Sequence, residues 1–251
     1  MAGESNGGSV RSESVRLGSA HFDVVRAASA TQAGVLLYPT INGIDDVMYG
    51  FASAFADAGI TAVIWDPYNG RARSEDPLEM FARSRECEDR EVVGDLRAIV
   101  DHMQGELGLA SIGGAGWCFG GRIGLIHAGS DDRVSVLSTY NPTIFTDTPI
   151  NVAGQHLSRA DFEGQTLDEW KLAPAINGPV QVCHPELDFT PLAVYERLIE
   201  ALRKRPAPTI YQFYPGADHG FWHIPGEANE RATRFAWPAT LSFFSQNLQI
   251  G

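Results

Sequence analysis

Short apolar runs alternate with amphipathic segments along most of this chain. Residues 34–39 (GVLLYP) and 61–65 (TAVIW) are continuous apolar runs with the length of a buried strand. Between them, Phe51, Phe55 and Ala58 recur at helical spacing. Alternating strand and helix signals predict an α/β fold with a mostly parallel central sheet and helices on both of its faces.

The remaining elements follow the same alternation. Residues 92–103 carry apolar side chains at helical spacing, which predicts a helix with one buried face. Pro238 is expected to interrupt the last helix, because proline lacks the N–H that a helix interior needs. The full prediction places strands at 20–27, 34–39, 61–65, 133–140, 179–184 and 209–214, and helices at 48–58, 92–103, 119–128, 192–204 and 226–247.

Two segments depart from this pattern. Residues 1–18 are polar and rich in glycine and serine, so a disordered tail is predicted there, followed by a single domain over 19–251. Residues 143–178 are broken repeatedly by proline and glycine. Long irregular connections in compact domains are usually functional, and this one follows the end of a strand. We therefore expect 143–178 to be an excursion or lid near a binding site.

The acidic composition narrows the choice of partner. The chain has 31 acidic and 19 basic residues and a net charge of −12, which argues against nucleic acid and against an anionic membrane surface. No apolar run approaches the length of a membrane span, and the N-terminus lacks the apolar core of a secretory signal. The expected partner is a small-molecule substrate, bound by a cytoplasmic monomer or homodimer.

Cysteine usage indicates single thiols. Cys87, Cys118 and Cys183 are odd in number and show no C-x-x-C spacing. The sequence therefore predicts neither a disulfide framework nor a zinc site, and we expect no metal and no other cofactor.

One cysteine lies in a motif that carries chemistry. Gly116-Trp117-Cys118-Phe119-Gly120 has the form G-x-C-x-G, between a run of small residues and a predicted helix. This is the form of the nucleophile elbow of α/β-hydrolases, with cysteine where serine is usual. About 0.03 such motifs are expected by chance for this composition. The alternative is a buried structural cysteine in a tight glycine turn.

A cysteine nucleophile needs a base and a residue to orient it, and this architecture supplies them in the order nucleophile, acid, histidine. Asp188 follows one predicted strand and His219 follows the next. Both lie on loops at the carboxyl ends of strands, where open α/β sheets bind their ligands. The alternatives left open by the sequence are Glu186 or Asp218 for the acid and His184 or His223 for the histidine.

Several segments together resemble the dienelactone hydrolase family, in its cysteine-nucleophile branch of the α/β-hydrolase fold. They are YPTINGIDD, AVIWDPYNG, VVGDLRAIVDH, GWCFGG and YPGADHGF, and the resemblance covers most of residues 20–247. It implies Cys118 as nucleophile, His219 as base and Asp188 as the orienting acid. It also implies an oxyanion hole formed by the backbone N–H groups of Ile41 and Phe119.

The chain departs from the family pattern at three positions. Thr40 stands where the family has a glutamate that hydrogen-bonds the resting thiol, and His223 stands where it has a substrate-binding arginine. A second family arginine has no ungapped match, although Arg83 and Arg85 lie nearby. Because a bidentate arginine is the usual partner of a carboxylate, an uncharged or weakly charged substrate is expected. Activation of the thiol must also differ.

Aromatic side chains near these loops predict an apolar pocket. The expected substrate contacts are Thr40, Trp117, Tyr140, Trp222 and His223.

These observations favour a hydrolase that cleaves a small ester, lactone or thioester through an acyl-enzyme. Two alternatives keep the fold and change the function. The first is a non-hydrolytic enzyme that catalyses an isomerisation, a cyclisation or carbon–carbon cleavage. The second is a non-catalytic protein that binds a small molecule.

Overall fold

The computed structural model describes residues 12–152 and 154–249. The strands are β1 (Ser12–Leu17), β2 (Ala20–Val25), β3 (Ala33–Tyr38), β4 (Thr61–Trp65), β5 (Ser111–Trp117), β6 (Val134–Tyr140), β7 (Ile150–Val152), β8 (Gln155–Leu157), β9 (Val180–Leu187) and β10 (Thr209–Asp218). The helices are α1 (Asp46–Asp57), α2 (Pro77–Arg85), α3 (Asp89–Gly105), α4 (Phe119–Ala128), α5 (Glu169–Leu172), α6 (Leu192–Leu202) and α7 (Glu227–Asn247).

Eight strands form one sheet in the order β1-β2-β4-β3-β5-β6-β9-β10. Strands β1 and β2 join by antiparallel pairing, β2 pairs antiparallel with β4, and the pairs from β4 to β10 are parallel. The predicted fold class is therefore confirmed. Since six neighbouring strands run the same way, the loops at their carboxyl ends meet along one edge of the sheet.

The apolar runs are continuous because helices cover both faces of the sheet. Along β3, Val35 and Leu37 pack in a cluster with residues of α1 and α7. Leu36 and Tyr38 alternate with them and pack in a second cluster with residues of α3, α4 and α6. A strand covered on both faces has no solvent side and needs no polar alternation.

Two predictions about the chain ends need correction. Residues 12–17 of the predicted tail form β1, which pairs with β2 along its whole length; residues 1–11 lie outside the described residues. The alternation of exposed and half-buried residues in β1 is too short and too polar to predict a strand from sequence alone. Pro238 does not interrupt the last helix, because α7 continues through it. Burial of Ala236 and Thr240 on either side holds the helix against the sheet despite the missing N–H.

The described residues of the segment 143–178 form short elements, and some of them line the cavity that contains Cys118. The segment contains the β7–β8 hairpin, α5 and two short 3₁₀ turns. Phe145, Ile150, Leu157 and Phe162 are buried together in a small apolar cluster of its own. The segment therefore carries part of its own stabilisation.

A buried ionic network attaches this segment to the helix that follows Cys118. Arg122 of α4 donates from Nη1 and Nη2 to the two carboxylate oxygens of Asp89, at 2.7 and 2.8 Å, and from Nε to Glu169 of α5. Glu169 also accepts from Arg159 at 2.6 Å. Burial alone would lower the pKa of Arg122, but the two carboxylates raise it above its ordinary value. The guanidinium thus stays charged although it is fully buried.

Candidate active site

Cys118 lies at a sharp turn between β5 and α4. Its backbone has φ 55° and ψ −119°, a left-handed conformation that is uncommon and strained for a non-glycine residue. The flanking glycines are sterically required: a Cβ on Gly116 would lie 2.3 Å from the carbonyl oxygen of Gly120. A Cβ on Gly120 would lie 2.0 Å from the oxygen of Tyr38. The G-x-C-x-G spacing therefore permits the close strand–helix approach that the turn needs.

His219 and Asp188 meet at this turn from two other strand ends. Asp188 follows β9, and its side chain is fully buried. His219 follows β10, and its Nδ1 lies 2.7 Å from Asp188 Oδ1. Asp188 also accepts hydrogen bonds from Tyr195 Oη and, at 2.9 Å, from Thr190 N–H. Phe189 stacks on the imidazole at 3.9 Å between ring centres. The histidine ring is thus fixed by both a hydrogen bond and packing.

The surroundings of Cys118 favour its thiolate. Burial raises the pKa of the thiol, but the charge of His219 and hydrogen bonds from His219, Thr143 and the Phe119 N–H outweigh it, so the pKa falls below its ordinary value. Burial alone would lower the pKa of His219. The charges of Cys118 and Asp188 outweigh burial and raise this pKa well above the usual histidine range. The two shifts together favour a thiolate–imidazolium pair.

Two polar residues of this site were missed by sequence reasoning. Thr143 Oγ1 lies 3.3 Å from Cys118 Sγ, and Thr143 N–H donates to the Cys118 carbonyl at 3.0 Å. Asn141 Nδ2 lies 2.9 Å from His219 Nε2. Both follow β6, the strand beside the elbow strand, so the sequence Asn141-Pro142-Thr143 at a strand end was the available signal.

The loop that follows β3 holds two other predicted residues, Thr40 and Ile41, in the cavity that contains Cys118. Ile41 and Phe119 both line the cavity that contains Cys118, and Phe119 N–H donates toward the sulfur. Thr40 also lines it, but its hydroxyl accepts from Asn42 N–H at 3.1 Å, which stabilises the loop. The hydroxyl beside the thiol belongs to Thr143, on a different loop.

The cavity has a volume of about 210 Å³ and contains both Cys118 and His219. Trp222 and His223, which were predicted to contact substrate, line it. Part of its wall comes from α2 and the segment 143–178, through the side chains Phe81, Ser84, Phe145, Val152, Phe162 and Gln165. Among the described residues that line this cavity there is no Arg, Lys, Asp or Glu.

Two of the predicted substrate contacts are wrong. Trp117 is fully buried and stacks on Phe51, with ring centres 4.4 Å apart, so it belongs to the core beneath the elbow. Tyr140 is 2% exposed, and its hydroxyl pairs with Thr240 at 2.6 Å. Both occupy strand positions that point toward α1 and α7, on the face of the sheet away from the sulfur.

The alternative residues are engaged elsewhere. Glu186 accepts from Gly216 N–H at 2.6 Å, and Asp218 accepts from the side chain of Asn229 at 2.8 Å. His184 lies against Tyr195, with ring centres 3.6 Å apart, and its Nδ1 pairs with Tyr211. His223 lines the cavity, but the partner of Asp188 is His219.

Within residues 12–152 and 154–249, no three His, Cys, Asp or Glu side chains come together as a metal ion would require. Over the same part of the chain, no helix combines the length and apolarity needed to cross a bilayer.

A mostly parallel sheet with a strained turn between a central strand and the following helix, and with an acid and a histidine on later strand-end loops, is the arrangement of the α/β-hydrolase fold. The sequence profile of the dienelactone hydrolase family matches residues 22–248, so the chain belongs to that family and is a hydrolase. The resemblance drawn from the sequence segments is thereby confirmed.

Solved structures share this fold at low sequence identity. A Klebsiella pneumoniae protein with the provisional name dienelactone hydrolase is 19% identical, with a TM-score of 0.76 over 94% of this chain and 98% of its own. A dienelactone hydrolase-like promiscuous phosphotriesterase from metagenomic libraries is 18% identical, with a TM-score of 0.73 over 95% and 98%. Est1E from Butyrivibrio proteoclasticus is 12% identical, with a TM-score of 0.66 over 94% and 98%. No curated protein matches the sequence.

Proposed function

We propose that this protein hydrolyses a small uncharged ester, lactone or thioester through a covalent acyl-enzyme on Cys118. In this proposal His219 is the general base and acid, and Asp188 orients it. One observation carries the proposal. A thiol with a lowered pKa lies in a strained elbow beside a histidine that is hydrogen-bonded to a buried carboxylate.

The proposed reaction proceeds in two halves. The Cys118 thiolate attacks the carbonyl carbon, and the backbone N–H groups of Ile41 and Phe119 stabilise the oxyanion that forms. The His219 imidazolium gives its proton to the departing oxygen or sulfur, which leaves a thioester on Cys118. Neutral His219 then takes a proton from water as the water attacks this thioester. Collapse of the resulting tetrahedral intermediate releases the acid and restores the Cys118 thiolate and the His219 imidazolium.

Apart from the Cys118–His219 pair, the described cavity lining has no ionised side chain, which supports an uncharged substrate. A substrate carboxylate there would lose its hydration with no arginine or lysine to replace it, which is costly in an apolar cavity. Arg83 donates to the Ala72 carbonyl at 2.7 Å, and Arg85 stacks outside the cavity on Phe81 and Phe162, with its guanidinium 5.1 and 5.4 Å from the ring centres. Neither arginine lines the cavity.

The first test follows acylation by intact-protein mass spectrometry after brief exposure to p-nitrophenyl acetate. The wild-type protein is expected to gain one acetyl group on Cys118 and then lose it to water. Cys118→Ala is expected to reduce turnover by about 10⁴-fold or more, since removal of a nucleophile disables the whole unit. Cys87→Ser is the matched control, because its partly buried thiol lies outside the cavity lining and has a pKa raised to about 12.

The same experiment separates hydrolysis from the alternatives. In H₂¹⁸O, a hydrolase incorporates one heavy oxygen into the released acid, whereas an isomerase or cyclase yields a product with the mass of its substrate. Undiminished turnover in Cys118→Ala, or an acyl group that stays on Cys87 alone, would refute the proposal.

A further inference from the structure

The cavity contains a polar group that the proposed mechanism leaves unused. Gln165 lines the cavity and is 8% exposed, and its Oε1 is buried with no hydrogen-bond partner among the described residues. A buried carbonyl oxygen without a donor is costly, and native proteins seldom keep one without a reason. Neighbouring atoms enclose the oxygen, so a small rotation of the carboxamide presents it to the cavity, where a partner from outside the chain would satisfy it.

The backbone on both sides of Gln165 is held firmly. Gln165 N–H donates to the Phe162 carbonyl at 2.9 Å, and the Gln165 carbonyl accepts from Arg159 Nη2 at 2.7 Å. Arg159 is itself held by Glu169 in the buried network. The unpaired carboxamide is therefore kept at the cavity wall by fixed backbone, as a preformed recognition group requires.

The rest of this wall is apolar or already satisfied. Phe145 and Phe162 stack with ring centres 4.1 Å apart, and Phe81 meets Phe162 edge-on at 5.8 Å. The Ser84 hydroxyl donates to the Phe81 carbonyl at 2.7 Å. Among the side chains of α2 and 143–178 that line the cavity, Gln165 thus contributes an unpaired oxygen, Oε1, within an aromatic surface.

We propose that Gln165 recognises a hydroxyl group on the acyl part of the substrate, and that this acyl part is uncharged and aromatic. The acyl group is the part concerned because it stays bonded to Cys118, in the same cavity, after the leaving group departs. Phenylalanine rings suit a flat apolar body. A hydroxyl donates to Oε1 without the desolvation cost of an ammonium, for which the described lining supplies no carboxylate.

This assignment rests on the proposed ester hydrolysis and is tested by a pair of substrates. The thioesters of 3-(4-hydroxyphenyl)propanoate and 3-phenylpropanoate differ by one hydroxyl. The wild-type kcat/KM is expected to be about tenfold higher for the hydroxylated thioester, because one buried hydrogen bond is gained. Gln165→Leu is expected to abolish that ratio, whereas Ser84→Ala, which alters an already satisfied hydroxyl, is expected to keep it. Gln165→Asn, shorter by one methylene, is the second variant if Gln165→Leu does not fold.

Equal kcat/KM for the two thioesters in the wild-type protein, or a ratio that survives in Gln165→Leu, overturns the assignment. Binding separates this failure from failure of the proposed function. In Cys118→Ser, calorimetry is expected to show tighter binding of 3-(4-hydroxyphenyl)propanamide than of 3-phenylpropanamide, and addition of Gln165→Leu is expected to remove the difference. Binding preference without turnover in the wild-type protein would refute ester hydrolysis alone. Turnover without preference would refute the Gln165 site alone.

Discussion

Thr143 supplies the thiol with a hydroxyl partner from the loop that follows β6. In the resemblance to known family members, the glutamate that hydrogen-bonds the resting thiol aligns with Thr40, which has no carboxylate. The structure instead gives Thr40 to its own loop and brings Thr143 within 3.3 Å of the sulfur. A hydroxyl cannot remove the proton as a carboxylate can, but it can donate to the thiolate once His219 holds the proton.

The pH dependence of Cys118 alkylation tests this arrangement. Alkylation by iodoacetamide requires the thiolate, so its rate should rise with pH through a midpoint below the ordinary thiol value of about 8.5 and then level off. Thr143→Val should move the midpoint upward by about one pH unit, since one hydrogen bond to the thiolate is lost. His219→Ala should move the midpoint further upward. Thr143→Ser keeps the hydroxyl and should therefore give the wild-type midpoint.

Peptide mass mapping assigns the label in that experiment. Burial raises the pKa values of Cys87 and Cys183 to about 12, so labelling below that range should be confined to Cys118. A midpoint in Thr143→Val equal to that of the wild-type protein would remove Thr143 from the account.

Asn141 lies beside Nε2 of the His219 imidazole, the ring nitrogen that does not face Asp188. Its Nδ2 faces His219 Nε2, while its Oδ1 is buried with no partner among the described residues. Rotation of the carboxamide by 180° would present Oδ1 to a protonated Nε2–H, so one side chain can serve both charge states of the ring. We expect Oδ1 to face the imidazolium, because a hydrogen bond to a charged donor is the stronger one.

Asn141→Leu should therefore lower the pKa of His219, because the imidazolium loses an acceptor. Asn141→Asp should raise it, because a negative charge replaces a neutral oxygen. NMR titration of the His219 ring measures both changes directly. Shifts in the same direction for the two variants, or no shift in either, would contradict this role, while a purely structural role would alter stability without opposite pKa changes.

At the scale of elements, a buried guanidinium joins α4 to the segment 143–178. Arg122 pairs with both Asp89 and Glu169, Arg159 brings a second positive charge to Glu169, and Asp89 also accepts from Leu167 N–H at 2.8 Å. Removal of one partner from such a network leaves buried charges uncompensated, which is more costly than the loss of any surface pair.

Arg122→Met is therefore expected to lower the free energy of unfolding by about 3–5 kcal/mol. Arg26→Met is the matched control, since Arg26 pairs with Glu13 while both side chains are more than half exposed. That control should cost about 0–1 kcal/mol. Urea denaturation measures both values, and hydrogen exchange should show faster opening of residues 159–172 than of the central strands in Arg122→Met. Equal effects of the two substitutions would show that the network stabilises little.

Across the whole molecule, the sequence predicted what depends on local pattern. The apolar runs of β3 and β4 and the glycines around Cys118 impose their structure through nearest neighbours and sterics, so fold class, elbow and strand-end loops could be derived. The direction of an aromatic ring is decided by tertiary packing. Trp117 and Tyr140 follow the strand alternation into the core, and their aromatic character alone could not show this.

The same limit explains the missed residues. Thr143 and Asn141 reach the site because β6 is adjacent to β5, and Arg122 meets Glu169 across 47 positions of sequence. Contacts between residues so far apart in the chain leave no periodic pattern in the amino-acid sequence. A charged side chain suggests solvent exposure, yet Asp89 is 1% exposed because its partner Arg122 is buried with it.

The origin of the cavity walls bears on how this protein can diversify. Cys118 and His219 are positioned by strand ends of the sheet, whereas Phe145, Phe162 and Gln165 lie on a separate segment that Arg122 holds. Substitutions in that segment can change the shape of the cavity while Cys118 and His219 keep their positions. The buried pair of Asp89 and Arg122 limits such changes, because a replacement segment must return a carboxylate to the place of Glu169. Sequence variation in this scaffold is thus free along the cavity wall and constrained at one ionic contact.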